Sequence, residues 1–147
     1  MTTVGQILTR KSTQIYSVSP DHSVLDALKL MAGKDISAVL VIEGERLVGI
    51  FTERDYARKV ILQGRNSRES RIGELMTQNL LTVSPTQTVE EIMAIMTENR
   101  FRHLPVVDHG QVIGIVTIGD TVKAMLDQQQ QTIRQLSGYI AGDLTTE

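Results

Sequence analysis

The chain has 147 residues, which fits one compact domain or two very small halves that share a core. Hydrophobic residues make up 41% and charged residues 22%, as in ordinary globular proteins, and the formal net charge is −2. No general attraction to nucleic acid or anionic lipid is therefore expected, and the absence of cysteine excludes disulfides, thiolate catalysis and thiolate metal sites.

The N-terminal residues give no sign of a targeting segment. Residues 1–10 lack the basic and apolar regions of a signal peptide, and no run of 18 apolar residues occurs in the chain. We therefore expect a cytoplasmic protein without a membrane partner.

An internal repeat dominates the sequence. Residues 17–60 align without gaps with residues 82–125, at an offset of 65 residues. A shorter match, residues 4–9 against residues 72–77, precedes each copy. The identical pairs include Val18/Val83, Ser19/Ser84, Pro20/Pro85, Gly49/Gly114, Thr52/Thr117 and Asp55/Asp120. Such self-similarity predicts two similar units that bury a core together.

Each copy is predicted to run strand, helix, strand, strand, helix. The first helix begins at a capping box, Ser23/Asp26 in one copy and Thr88/Glu91 in the other. Apolar residues then recur at steps of three and four, which predicts burial of Val24, Leu28, Met31, Val89, Met93 and Met96.

Two β-rich runs follow in each copy and predict a hairpin. They span residues 38–43 and 47–52 in the first copy, and residues 104–108 and 112–117 in the second. The runs are almost continuously apolar, so both faces of each sheet should be covered. This pattern predicts an α+β fold in which two β-α-β-β-α repeats pack sheet to sheet with pseudo-two-fold symmetry.

The polar run 63–71 indicates a linker. We therefore expect one repeat over residues 1–66, a second over 67–127 and a helical extension over 128–147. Along the last helix, apolar positions alternate at steps of four and three, which is typical of a helix that pairs with another helix. The alternative is that this stripe covers the chain's own core. Its members are Val122, Leu126, Gln129, Ile133, Leu136 and Ile140.

The third strand of each copy ends in Gly-Ile-x-Thr-x-x-Asp, at residues 49–55 and 114–120. A helix that begins at the threonine can offer its free N–H groups and the hydroxyl to a phosphate. The aspartate can accept the hydroxyls of a ribose. Thr-x-x-Asp is also close to a capping box, so these residues could merely start the helix. The shorter Asp in both copies, together with the two glycines, favours ligand binding.

Two in-register copies of Ser-Pro-x-x-[Ser/Thr]-Val, each followed by a hairpin and Gly-Ile-x-Thr-x-x-Asp, resemble the tandem CBS domain pair over about residues 3–127. In that family two repeats form one module, the Bateman module, with two clefts. The resemblance implies an adenosyl ligand, namely AMP, ADP, ATP, NAD or S-adenosylmethionine. It also implies that ribose and phosphate contact Thr52, Asp55, Thr117 and Asp120.

In the same family, the residues before the second strand line the base and phosphate region. Ile36 and Ala38 are the candidates in the first copy, where Ile36 could pack on adenine. Arg102 and His103 in the second copy could donate to phosphate, or could form a surface salt bridge and a solvated hairpin entry. Because the first copy has no charge at these positions, the two clefts are expected to differ.

Other chemistry has less support. Arg54 belongs to a basic region that a charged helix face and linker explain better than nucleic-acid binding, although Arg54 could also reach a ligand phosphate. The three histidines have no metal-ligand spacing, and no catalytic motif occurs. We expect a metal-free, non-enzymatic nucleotide sensor for signal transduction, which forms homodimers and acts on an unknown protein effector. The alternative is a ligand-independent assembly module.

Overall fold

A computed structural model describes residues 1–11 and 14–145. The element order confirms the predicted α+β fold with two hairpins. The elements are α1 (Val4–Lys11), β1 (Ser17–Val18), α2 (Val24–Lys34), β2 (Ala38–Glu43), β3 (Arg46–Thr52), α3 (Glu53–Asp55, continued by a π-helical segment, Tyr56–Ile61), α4 (Ile72–Leu75), α5 (Val89–Asn99), β4 (His103–Asp108), β5 (Gln111–Thr117) and α6 (Ile118–Thr145).

The two sheets differ in one strand. β1 pairs in parallel with β2, so the first sheet has the order β1-β2-β3. In the second copy the predicted first strand is reduced to an isolated bridge between Val83 and Val106. In the first sheet the N–H of Leu40 donates to the carbonyl oxygen of Tyr16. The residue aligned with Leu40 is Pro105, which has no N–H to donate, so the second ladder cannot extend in this way.

Helices α2 and α5 begin at the predicted caps. The Ser23 hydroxyl accepts from the Asp26 N–H at 3.1 Å, and the Thr88 hydroxyl accepts from the Glu91 N–H at 3.2 Å. Of the six residues predicted to be buried, Leu28 and Met93 are only half-buried. Their places in the core are taken by residues one position earlier, which complete the inner face of each helix with the other four. These residues are Ala27 and Ile92.

The two short helices exchange places between the repeats. Val4 and Ile7 of α1 are buried in the core of the second repeat, whereas α4, which precedes the second repeat, is buried in the core of the first. Equivalent hydrogen bonds fix both helices, because Gly5 N–H donates to the Pro85 carbonyl and Gly73 N–H to the Pro20 carbonyl, each at 2.9 Å. Each repeat therefore depends on a segment that precedes the other.

Two strand glycines lie where these short segments cross the sheets. A Cβ at Gly49 would lie 2.6 Å from Met76 Sδ, and a Cβ at Gly114 would lie 2.9 Å from Leu8 Cδ2. Side chains from the exchanged segments thus fill the space above both glycines. The sequence pattern favoured ligand binding as the reason for glycine at these two positions. In the structure, packing against Met76 and Leu8 is a sufficient reason.

The two sheets pack face to face, as predicted. Ala38, Leu40 and Ile50 of the first sheet are buried at this contact, where Val112 and Ile115 of the second sheet pack against them. Both faces of β2 are therefore covered, which explains its nearly continuous apolar sequence.

Helix α6 leaves the packed module after its first turns. Gln128 connects it to the module, donating to Glu90 Oε1 at 2.7 Å and accepting from the Thr2 N–H at 2.9 Å. The apolar stripe is exposed, at 43% for Val122, 61% for Leu126, 55% for Ile133 and 58% for Leu136. It therefore does not cover the chain's own core. Ile140 lies outside the residues whose side chains are described. Within residues 1–11 and 14–145, no helix has the length and apolar character needed to cross a membrane.

Candidate functional site

A cavity of about 690 Å³ lies between the repeats and gathers six of the nine candidate residues. Four of them come from the second repeat and two from the first, so one cavity combines candidates from both copies. The cavity forms at the contact between the two sheets, where the entries to β2 and β4 face each other. The six residues are Ile36, Ala38, Arg102, His103, Thr117 and Asp120.

The polar wall of this cavity is the junction between β5 and α6. Thr117 N–H donates to Asp120 Oδ2 at 2.9 Å, and Asp120 N–H donates to Thr117 Oγ1 at 3.1 Å. The capping box considered as an alternative is therefore formed. The Asp120 side chain still keeps 21% of its surface exposed. One residue pair thus starts the helix and also presents a carboxylate and a hydroxyl to the cavity.

His103 connects the two repeats across the cavity. Its Nε2 lies 2.9 Å from Ser37 Oγ. Burial of the ring lowers the pKa of His103, and the positive charges of Lys11 and Arg102 lower it further, against an opposing effect of Asp120. The imidazole is therefore neutral at pH 7 and acts as a hydrogen-bonding group, so Lys11 and Arg102 supply the positive charge at this site.

The apolar wall combines residues that the sequence pattern identified with others that it did not. Ile36 is half-buried and Ala38 is buried. Ile15 and Tyr16, which precede β1, line the cavity beside them and were not predicted. Lys34 Nζ lies 5.3 Å from the centroid of the Tyr16 ring, a cation–π distance. Tyr16 is one of only five aromatic residues in the chain, and that scarcity was the available signal.

The other three candidates, Thr52, Arg54 and Asp55, do not line this cavity. Thr52 and Asp55 form a capping box with N–H contacts of 3.0 and 3.1 Å. The second carboxylate oxygen of Asp55 accepts from Thr77 Oγ1 at 2.9 Å and lies 3.1 Å from Lys59 Nζ. The Asp55 side chain is only 9% exposed, and its carboxylate oxygens are already bonded to Thr52, Thr77 and Lys59.

A second cavity, of about 840 Å³, lies near the turns of the hairpins, and its walls contain none of the nine candidates. Its lining is mainly polar and includes Glu45, Arg46, Gln78 and Asn79. Among the described residues, no group of three or more His, Asp or Glu side chains is placed to hold a metal ion. In the basic region, Arg65 of the linker pairs with Glu74 of α4 at 2.6 Å, which fits the interpretation as a charged helix face and linker.

Comparison with known proteins identifies the family of this chain. The model of the CBS domain matches residues 4–61 and 72–127. The mitochondrial CBS domain-containing protein CBSX3 of Arabidopsis thaliana is 42% identical over 127 residues, which cover 83% of this chain and 62% of that protein, less than two thirds of its length.

Two solved structures show the same architecture. A CBS-domain protein from Burkholderia ambifaria is 50% identical, with a TM-score of 0.83 over 87% of this chain and 96% of that one. A hexameric CBS-CP12 protein from bloom-forming cyanobacteria is 26% identical, with a TM-score of 0.73 over 82% of this chain and 66% of that one. With both repeats matched in sequence and in structure, the chain belongs to the CBS-domain family and forms one CBS pair.

Proposed function

We propose that this CBS pair is a non-catalytic regulatory module that binds an adenosine nucleotide in the 690 Å³ cavity and acts on a partner protein. One observation carries the proposal: groups suited to a base, a ribose and a phosphate line a single space between the repeats. The candidate ligands are AMP, ADP, ATP, NAD and S-adenosylmethionine. A pocket of this size, with an apolar wall and a few convergent polar groups, is typical of small-ligand sites.

Each wall has a role in this proposal. Asp120 accepts the ribose hydroxyls, while the Thr117 hydroxyl and the Gly119 N–H bind phosphate. The N–H groups of Ile118 and Asp120 on either side already donate to the Arg102 carbonyl oxygen and to Thr117 Oγ1. Arg102 adds a cation to the phosphate region, and His103 contributes a neutral hydrogen bond. Ile36 and the apolar side chains beside it contact the adenine face.

The first Thr-x-x-Asp pair has a different role in this proposal. Asp55 accepts from Thr77 and pairs with Lys59, and its side chain is almost wholly buried. A ribose would have to displace Thr77 and Lys59 from a carboxylate that is only 9% exposed, at a substantial cost in lost hydrogen bonds. We therefore assign this pair to the stability of the first repeat and expect one nucleotide per chain.

Thermal melting with matched variants tests the proposal. Asp55→Ala and Asp120→Ala each remove one capping box, so both should lower the melting temperature of the free protein. Only Asp120→Ala should also abolish the rise caused by ligand. At a ligand concentration 100 times Kd the stabilisation is about 2.7 kcal/mol, or roughly 5–10 °C for a chain of this size. The proposal fails if nucleotide-free protein shows no shift with any candidate, or if Asp55→Ala alone removes the shift.

A second candidate function is assembly without a ligand, and the exposed stripe of α6 favours it. Leu126, Ile133 and Leu136 are more than half exposed and lie at steps of seven and three residues, as on one side of a coiled coil. The hexameric relative is an assembly of a CBS-domain protein. We therefore propose that this chain forms a homodimer, with α6 in the contact.

Sedimentation of the unaltered chain and of a variant carrying both Leu126→Gln and Leu136→Gln tests this contact. The double variant should sediment as a monomer at concentrations where the unaltered chain is a dimer. Arg134→Gln, on the same helix but outside the stripe, should leave the dimer intact. A dimer that persists in the double variant would exclude α6 from the contact. A dimer without any nucleotide effect on melting would favour assembly over sensing.

A further inference from the structure

Lys11 is a charged residue that lines the cavity and to which the proposed function gives no role. Its Nζ lies 2.6 Å from Asp120 Oδ2 and donates to the carbonyl oxygen of Ile115 at 3.1 Å. The side chains of Lys11 and Asp120 keep 28% and 21% of their surface exposed. Lys11 is the last residue of α1, so this ammonium reaches Asp120 because α1 packs in the second repeat.

The first repeat contains a similar ion pair in a different setting. Lys59 lies four residues after Asp55 on the same helical segment, and it also donates to the Leu75 carbonyl oxygen at 3.1 Å. Neither Lys59 nor Asp55 lines the cavity. The residue aligned with Lys59 in the second repeat is Ala124, so an in-helix lysine is missing there. Lys11 thus supplies the second aspartate with its cation from another helix, at the surface of the cavity.

We infer that Lys11 makes the cavity selective for nucleotides that carry a phosphate. This inference rests on the proposed function. When a ribose diol binds Asp120, the Lys11 ammonium leaves the carboxylate and pairs with the phosphate of the same ligand. A lysine is suited to such an exchange, because it is a compact charge with three donors on a flexible stem.

Charge balance is the physical reason for this selectivity. A partly buried ammonium that loses its carboxylate without gaining another anion is destabilised. A phosphate monoester, with a charge of about −1.5 to −2 at pH 7, restores the balance and can also pair with Arg102. Adenosine provides no anion for Lys11. S-adenosylmethionine offers one carboxylate in place of a phosphate and also places a sulfonium cation near Lys11 and Arg102, which offsets that charge. Both ligands should therefore bind more weakly than AMP, ADP, ATP or NAD.

Calorimetric titration of nucleotide-free protein with AMP and with adenosine tests the inference. Lys11→Met should weaken AMP binding by about 10- to 100-fold, the range for loss of a charge-assisted hydrogen bond. The same variant should bind adenosine at least as tightly as the unaltered chain, because Asp120 no longer has to release a cation. Lys11→Arg should keep the preference for AMP, since the positive charge is retained. Lys59→Met is the matched control and should leave the ratio of the two dissociation constants unchanged.

Two outcomes would overturn the inference alone. One is an equal loss of AMP and adenosine affinity in Lys11→Met, which would mean that Lys11 only shapes the cavity. The other is AMP binding that depends on Asp120 but is unchanged in Lys11→Met. Absence of binding of AMP, ADP, ATP, NAD and S-adenosylmethionine by the unaltered chain would overturn the proposed function, and the inference with it.

Discussion

Adding one methyl group to each strand glycine should destabilise the two repeats unequally. At Gly49 a Cβ would lie 2.6 Å from Met76 Sδ, 2.9 Å from Met76 Cγ and 3.0 Å from the Thr77 carbonyl oxygen. At Gly114 the three nearest atoms all belong to the Leu8 side chain, at 2.9, 3.2 and 3.6 Å. We therefore expect Gly49→Ala to lower the free energy of unfolding more than Gly114→Ala does.

The expected magnitudes follow from which neighbours can move. Met76 is flexible and can give way. The Thr77 oxygen cannot, because it accepts from Ile50 N–H at 3.0 Å while Thr77 N–H donates to the Ile50 oxygen at 2.8 Å. Overpacking in a core costs about 1–3 kcal/mol. We expect about 2–3 kcal/mol for Gly49→Ala and about 1 kcal/mol for Gly114→Ala, where Leu8 can change rotamer.

Urea unfolding at one fixed protein concentration measures both values, with an unchanged m value as the sign that only stability has changed. Gly33→Ala is the control, because no atom lies within 4 Å of its added Cβ and alanine favours the helix by up to about 1 kcal/mol. Met76→Ala should rescue only part of the loss in Gly49→Ala, since the backbone contact remains. Equal losses at Gly49 and Gly114, or a larger loss at Gly114, would refute this account of the packing.

Two further predictions concern stability. Gln128→Ala removes the hydrogen bonds to Glu90 and to the Thr2 N–H. The free energy of unfolding, measured in urea, should therefore fall by about 1–3 kcal/mol. A change below about 0.3 kcal/mol would contradict the proposal that Gln128 anchors α6 to the module. Because the pKa of His103 is lowered on folding, the unfolded chain binds more protons than the folded chain below the unfolded pKa near 6.5. The contribution of His103 to stability is thus complete above pH 6.5 and declines as the pH falls toward the folded pKa. In urea unfolding, His103→Gln should therefore lose less stability than the unaltered chain between pH 7.5 and 5.5. Parallel declines in the two proteins would show that His103 does not cause the pH dependence.

Local pattern was sufficient to predict the hairpins and the two long helices of the repeats. Their strands combine apolar runs with tight turns, and their helices combine a cap with a periodic apolar face, so each signal lies within about a dozen residues. The exchange of α1 and α4 had no such signal. Residues 4–9 and 72–77 resemble each other, and an apolar helical face can be buried equally well on either repeat. Only the long-range packing decides between the two arrangements.

The sequence was sufficient to predict most residue types of the candidate site, but not which of the two Thr-x-x-Asp pairs lines the cavity. The Thr-x-x-Asp motif is identical in both copies, and both copies form the same capping contacts. The two aspartates differ in their exposure, in the hydrogen bond from Thr77 to Asp55, and in the origin of the cation beside each. Lys59 stands four residues after Asp55, a spacing that sequence alone can detect on a helix. Lys11 stands 109 residues before Asp120, a distance at which no local pattern connects two residues.

This difference between the copies bears on how a signal could be transmitted. A module with two equivalent clefts could show cooperative binding within one chain, whereas the proposed stoichiometry of one nucleotide per chain removes that route. Cooperativity would then require coupling between chains, because a coupling free energy needs two sites. Asp120 lies in the first turn of α6, the same helix that carries the exposed stripe. A Hill coefficient above 1 for the unaltered dimer would show coupling between chains, and the Leu126→Gln, Leu136→Gln variant, expected to be a monomer with one site, should give a value of 1.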